Sequence, residues 1–399
     1  MQSAVIKKVL KYLSLSGLRR IKIRKNQMDK DALLYTLALS QVPGIGSVIG
    51  KQLITYFGDA ESVFRRFKEL SNGKPALVPV IGQVLRDKEF WRRAEAEMKF
   101  IEKYRLKVLF FQDEDYPYRL ADCYDSPVFL FYKGSASLNA GKVVAVVGTR
   151  SATDYGKTIT RELINGLRQL NPLVVSGLAY GIDSQAHRAA LDNGLETIGV
   201  LGHGLDRIYP SNNKGTAEKM LSQGGLLTEF FSCTEPDREN FPQRNRIIAG
   251  ISDAIIVVEA AEEGGALITA DIAHTYNRDV FVMPGRIGDK YSGGCNMLLR
   301  YKKADVVRHA GDLISQMGWG EAEIKTRVVQ PKLFIPLTLD EQKVVDLLFA
   351  EGDLNVDEIS RKSGLPVNKT VVALLNLEIE NVIRCKPGKL YTLSPPQAQ

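Results

Sequence analysis

Apolar positions change their spacing twice along the chain, and the two changes divide it. From Asp31 to about Tyr104 they recur at helical intervals, in LLYTLALS, KQLITYF and EFWRRAEAEMKFIEKY, and no run alternates as a half-buried strand does. A small helical domain is predicted there. From about residue 109 short, continuous, β-rich runs alternate with helical stretches: VVAVVG, PLVVSG, ETIGVLG, GLLTEF, AIIVVEA, DVFVMPG and ADVVRH. Unalternated apolar runs of this length predict buried parallel strands, and hence a doubly wound α/β sheet. An aperiodic, proline-containing segment follows, from Glu321 to Ile335. Beyond it, helices are predicted over 340–350, 356–363 and 367–381, and then the hairpin VIRCKPGKLYTL, which is the order of a winged helix-turn-helix. The expected division is a basic extension (1–27), a helical domain (28–108), the α/β domain (109–320), a linker (321–334) and the winged-helix domain (335–399).

Between two front helices lies Val42-Pro43-Gly44-Ile45-Gly46, with a weaker echo at Val80-Ile81-Gly82, which reads as a helix-hairpin-helix turn. Glycines there allow a tight backbone whose amide N–H groups can hold a phosphate. A plain helix–helix connector fits the same residues.

Composition narrows the class. The 399 residues are 25% charged and 44% hydrophobic, which excludes a collagenous or disordered chain. No stretch approaches the roughly 18 consecutive apolar residues of a membrane span, and the N-terminus lacks a secretory h-region, so a cytoplasmic protein away from the membrane is expected. Cys123, Cys233, Cys295 and Cys385 stand singly, without a C-x-x-C pair, and the four histidines share no ligand spacing. Neither a disulfide framework nor a metal is expected.

The net charge of +7 suggests a polyanion until it is partitioned. Residues 1–27 carry eight Lys/Arg and no acid, leaving 45 basic against 46 acidic residues elsewhere, and 21 against 25 within 113–320. A polyanion bound by the central domain must therefore meet a focused basic cluster. Met28 opens MDKDALLYTLALSQVPG directly after the basic run and is a candidate start of the native chain.

In an open α/β sheet the ligand sits outside the carboxyl ends of the strands. The first predicted strand there ends at Gly148, followed by Thr149-Arg150-Ser151 and a helix beginning near Tyr155, a ready site for a phosphate. Only one glycine of a G-x-G-x-x-G fingerprint is present, so no nicotinamide or flavin cofactor is expected. The second ends in Ser176-Gly177-Leu178-Ala179-Tyr180-Gly181-Ile182-Asp183. Asp183 and His187 are four apart on one helix face, either as a general acid/base pair or as an N-cap with a neighbouring partner. The densest cluster is Arg238-Glu239-Asn240-Phe241-Pro242-Gln243-Arg244-Asn245-Arg246, placed on a loop. Arginine interleaved with an aromatic suits single-stranded nucleic acid, because guanidinium groups hold phosphates while a ring stacks on an unpaired base. Buried salt bridges and a core phenylalanine are the alternative. Downstream, Glu259 and the turn Gly264-Gly265 lead into another helix, and Pro284-Gly285 with Gly293-Gly294-Cys295-Asn296 are expected to complete the rim.

GTRSATDYG, SGLAYGID, GLDRIYP, FPQRNRIIAG, EA-x4-GALITA and MPG followed by SGGCN stand in this order, and together they closely resemble the DNA-processing protein A family, also called Smf. The likeness spans the α/β domain and extends to both ends of the chain. It implies an extended Rossmann-like domain between a helix-hairpin-helix (SAM-like) front domain and a winged helix. It also implies a cytoplasmic, non-enzymatic protein that binds single-stranded DNA, dimerises through the Rossmann-like domain and helps load RecA recombinase in natural transformation. Carried over by position, Arg150 matches the family's glycine-x-arginine turn and Phe241 its base-stacking aromatic. Arg238 stands where relatives often have lysine, which keeps the charge but alters donor geometry. Arg244 and Arg246 match the R-N-R motif, in direct contact or in support. Gly148, Ser176 and Gly177 match positions lining the same pocket. Gly264-Gly265 departs from the usual Ser-Gly and loses a hydroxyl.

Two other readings remain. A nucleotide-processing enzyme of the related lysine-decarboxylase-like group would use the same crevice, but its P-G-G-x-G-T-x-x-E signature is missing from GGALITADIA. A sequence-reading regulator would use the winged domain, whose third helix offers Lys369 as its only basic residue.

Overall fold

The computed structural model describes residues 29–320, 337–380, 382–386 and 388–394. The basic extension and the linker expected from the sequence lie outside them. The front of the chain folds as helices α1 (Lys30–Gln41), α2 (Ser47–Phe57), α3 (Ala60–Arg66), α4 (Leu77–Val84) and α5 (Lys88–Tyr104). Asp29, Asp59 and Asp87 begin α1, α3 and α5 as N-caps, their carboxylates accepting from the N–H groups of Ala32 (2.7 Å), Ser62 (2.7 Å) and Glu89 (2.9 Å). The 42–46 segment is a turn between α1 and α2, with Gly44 at φ +82°. Its supposed echo is corrected: Val80, Ile81 and Gly82 lie inside α4, where Ile81 is buried in the core.

A nine-stranded sheet follows, in the spatial order β1-β2-β6-β5-β4-β3-β7-β8-β9. The strands are β1 (Lys107–Phe110), β2 (Phe129–Gly134), β3 (Val143–Val147), β4 (Leu173–Ser176), β5 (Thr197–Val200), β6 (Gly224–Thr228), β7 (Ala254–Val257), β8 (Asp279–Val282) and β9 (Asp305–Val306). The seven runs read from the sequence are β3 to β9, all parallel to one another. β1 and β2 were not expected. They extend the sheet antiparallel beyond β6, with Phe131 opposite Thr228, and so need no crossover helix that would have flagged them.

Between and after the strands lie α6 (Tyr118–Ala121), α7 (Asp154–Gly166), α8 (Ile182–Asp192), α9 (Lys214–Met220), α10 (Asn240–Ile251), α11 (Gly265–Thr275), α12 (Gly293–Arg300) and α13 (Ala310–Gln316). Alternate strand residues serve opposite faces. Val144, Val146, Val174 and Ile256 pack with Leu163, Ala186 and Leu313 of α7, α8 and α13. Val143, Ala145, Val175 and Ile255 share the other core with Ile247 of α10 and Ala270 of α11. That second core runs on without a break into Leu37, Ile54 and Ile81 of the front helices, so the helical domain is packed on the sheet domain.

The C-terminal region is a winged helix: α14 (Leu339–Glu351), β10 (Leu354–Asn355), α15 (Val356–Ser363), α16 (Val367–Ile379), β11 (Ile383–Lys386) and β12 (Leu390–Leu393), with the sheet order β10-β12-β11. It has its own core of Val344, Leu348, Ile359, Leu374 and Ile383. Buried Arg278 joins it to the sheet domain by pairing with Asp357 of α15 while donating to the carbonyls of Arg119 (2.7 Å) and Gly250 (3.1 Å). Among the described residues no helix is long and apolar enough to cross a membrane.

Candidate nucleic-acid interface

The chain runs outward through β3, β4, β5 and β6 and then returns to β7 on the other side of β3. The β3/β7 junction is therefore the switch point of the sheet, where diverging loops leave a crevice at the carboxyl ends of the strands. A cavity of about 310 Å³ opens there, lined by the turn after β3 (Gly148 to Arg150), the loop after β7 (Ala260, Ala261), the start of α11 and the inward face of α10.

α10 delivers the aromatic. Phe241, in its first turn, is half-buried at the mouth, and the exposed Arg150 from the β3 turn lies with its guanidinium carbon 4.6 Å from the ring centroid. One turn further in, Arg244 is buried. It donates to the carbonyls of Gly177 (2.5 Å) and Val200 (2.7 Å) and to Oδ1 of Asn245 (3.0 Å), and its guanidinium carbon is 5.9 Å from the same ring. Burial pushes its pKa down to about 10; Asp183 opposes the shift and Arg150 adds to it. It remains cationic at neutral pH.

Two glycines make this packing possible. A Cβ on Gly177 would lie 2.3 Å from Nη1 of Arg244, and one on Gly148 would lie 2.6 Å from Cγ1 of Ile182 and 2.9 Å from the carbonyl of Glu259. Opposite, Gly264 and Gly265 start α11 with no side-chain cap on its first N–H groups, and both line the cavity. An uncapped helix start on a crevice offers its N–H groups and positive dipole end to an anion.

The sequence-predicted residues thus separate. Gly148, Arg150, Phe241 and Arg244 line the crevice, and Gly177 lies against Arg244 at its edge. Ser176 is fully buried with its hydroxyl donated to the carbonyl of Val146 (2.7 Å), so the structure does not bring it to the cavity wall. Arg246 turns to the other side of α10, pairing with Glu229 and donating to the carbonyl of Asp125. Arg246 thus lies outside the cavity lining. Arg238 is exposed on the loop ahead of α10, outside the cavity lining, and no acidic side chain pairs with it among the described residues. The cluster is not one loop, as expected, because α10 begins at Asn240. Gly285 and Gly293 to Asn296 do not form the rim either. They brace the β7 loop from behind, with the Gly294 N–H on the Ala260 carbonyl (2.9 Å) and Asn296 Nδ2 on the Gly285 carbonyl (3.2 Å).

Asp183 and His187 do not form an acid/base pair. The Asp183 carboxylate is buried and accepts from the N–H groups of Gly177 (3.1 Å) and Ala179 (3.4 Å). His187 is fully buried. Thr197 donates its hydroxyl to the Val174 carbonyl (2.9 Å), so Nδ1–H of His187 donates to Thr197 Oγ1 (2.7 Å). Burial first, and then the Arg244 charge, push its pKa down to about 3, so it is neutral at pH 7.

Two residues act behind the site that sequence reasoning did not assign to it. Glu259, buried, accepts from the Thr153 N–H (3.0 Å) and hydroxyl, while its carbonyl accepts from Thr149 N–H (2.7 Å), so it fixes the turn that carries Arg150. Asn245 links Arg244 to the start of α11 by donating from Nδ2 to the Gly265 carbonyl (3.2 Å). The middle position of R-N-R was the only available signal for it.

Residues 107–318 match the family described as DNA recombination-mediator protein A, and residues 331–389 match the DprA winged helix domain. The chain is 32% identical to Protein Smf of Synechocystis sp. over 393 residues, covering 90% of this chain and 98% of the relative. It is 42% identical to the DNA processing protein DprA of Streptococcus pneumoniae over 204 residues, 51% of this chain and 72% of the relative. The X-ray structure of DNA processing protein A from the same species superposes with a TM-score of 0.57 at 32% identity, over 72% of this chain and 98% of that one. With matches of this extent, the chain belongs to the DNA recombination-mediator protein A (DprA/Smf) family.

Proposed function

We propose that the protein binds single-stranded DNA in the β3/β7 crevice and acts by holding the strand, without a catalytic step of its own. The observation that carries this is the Arg150–Phe241 pair: a cation and an aromatic face 4.6 Å apart at the mouth of a cavity whose far wall is an uncapped helix start. A strand needs both partners, one for phosphate and one for an unpaired base, and a duplex offers no such base. Arg238, three residues before Phe241 and exposed, extends the positive track. Gly148 and Gly177 act by clearing space, and Ser176 and Arg246 by supporting the wall. The titratable groups behind the crevice favour binding over chemistry, because His187 is neutral and buried and Asp183 is tied to backbone N–H groups.

Family membership extends the proposal to protection of incoming DNA, hand-over of the strand to RecA recombinase, and a homodimer through the Rossmann-like domain. Binding is tested by titrating labelled oligothymidylate, the corresponding duplex and nucleoside monophosphates against the protein. Single-strand binding that monophosphates do not displace supports the reading. Tight monophosphate binding with turnover would favour the nucleotide-processing enzyme instead. Hand-over is tested by the rate of RecA filament growth on a precoated strand with and without the protein, and the dimer by sedimentation.

A further inference from the structure

Past Phe241 the crevice continues as a second, shallower lobe. Arg150, Ala179, Phe241 and Arg244 line both lobes, so the arginine–phenylalanine pair is the divide between them. The second lobe adds residues from the loops after β4 and β5: Tyr180, Gly202, His203 and Tyr209. We infer that this lobe is a second nucleotide site, where Tyr180 and Tyr209 carry the next unpaired base of the strand held at Phe241. The inference rests on the single-strand reading above and adds a subsite to it.

Four observations support the assignment. Tyr180 is 44% and Tyr209 47% exposed. Single exposed aromatics are ordinary, but two arriving from separate loops beside a third ring make a stacking platform. No carboxylate lines the lobe, whereas Asp183 and Glu263 line the first, and the lobe shares both arginines of the crevice. The nearby Asp206 carboxylate is taken up by the Cys233 N–H and by Arg207. An anionic strand therefore leaves the divide towards the tyrosines without meeting an acid. His203, 2% exposed, floors the lobe with Nδ1 on the Gly204 carbonyl (2.9 Å), so the loop that forms this wall is held in place. Finally, Gly202 brings the two sites together: a Cβ there would lie 3.2 Å from Cδ1 of Phe241, so the glycine lets the ring sit flush between the lobes.

Size fixes how the base is held. The second lobe encloses about 20 Å³, room for about one water, against about 310 Å³ in the first. A base is not swallowed there. It lies across the rim, on the exposed faces of the tyrosines, and the ligand is a run of two or more unpaired nucleotides rather than a single mononucleotide.

The test compares wild type, Tyr180→Ala, Tyr209→Ala and the two Tyr→Phe variants for binding to a 12-nucleotide oligothymidylate and to the same backbone with every base removed. Each alanine variant should bind oligothymidylate about five- to tenfold more weakly, and each phenylalanine variant within about twofold of wild type. On the abasic strand all five proteins should bind equally. Should Tyr209→Ala disturb folding, Tyr180→Ala and the phenylalanine variants decide the matter. Alanine variants that match wild type on oligothymidylate, while Phe241→Ala loses binding, overturn the second site and leave the single-strand reading intact. Equal losses on both strands overturn it as well, since a stacking platform cannot act where there is no base. A wild type that binds neither strand removes both proposals.

Discussion

Gly177 and Arg244 are matched across the crevice: the glycine presents its carbonyl to Nη1 of the arginine at 2.5 Å, and a Cβ on the glycine would lie 2.3 Å from that same nitrogen. The arginine fits only because the side chain opposite is absent. Gly177→Ala should displace the guanidinium, destabilise the protein by about 1–3 kcal/mol as overpacked sites do, and weaken single-strand binding. Thermal melting and anisotropy on one sample check both. Arg244→Ala goes further, because it leaves buried Asp183 without the positive charge that opposes the rise in its pKa. A loss of about 3 kcal/mol or more is expected.

Acid sensitivity should trace in part to His187. Its folded pKa is held down to about 3 by burial and by Arg244, while in the unfolded chain it returns to the ordinary histidine range. Between those values the unfolded state binds more protons, so stability is present at neutral pH and is lost as pH falls. From pH 7 to pH 5 the loss assigned to this group is about 2 kcal/mol. Urea midpoints of wild type and His187→Leu at the two pH values measure it. The variant should lose distinctly less stability on acidification.

The winged-helix domain is held to the sheet domain by a buried ion pair, Arg278 with Asp357. Removing one partner leaves the other charge buried and alone, which costs about 3–5 kcal/mol. In Asp357→Ala, hydrogen exchange within α14, α15 and α16 should speed up, while β3 and β7 keep their protection. Unchanged exchange in these helices would mean that the surrounding contacts hold the domain without the pair.

Legibility in the sequence followed the physics of each element. β3 to β8 were readable because parallel strands covered on both faces are mostly apolar, as VVAVV and AIIV are, whereas β9, two exposed residues at the sheet edge, showed only through the run ADVVRH. β1 and β2 were not, since an antiparallel extension brings no crossover helix to announce it. The winged helix was readable down to its hairpin. At the site, Arg150 and Phe241 were singled out by residue type and motif, and the structure places one over the other. What the sequence could not separate was the two faces of α10. Arg244 and Arg246 are two apart, which on a helix sends them to different sides, and the cluster had been placed on a loop. Ser176 was misplaced for a related reason, because a hydroxyl at a strand end can point to the crevice or across to the next strand, and here Val146 takes it.

The most direct test of the account is fluorescence anisotropy of labelled oligothymidylate across a salt series, with wild type, Phe241→Ala and Arg150→Ala, and with the duplex as control. Tight single-strand binding and weak duplex binding are expected. Phe241→Ala should lose about 1–3 kcal/mol at every salt concentration with an unchanged slope, and Arg150→Ala should flatten the slope of log K against log salt by about 0.7. Equal affinity for strand and duplex, or two variants with the same salt dependence, would contradict the division of labour between ring and guanidinium on which the account rests.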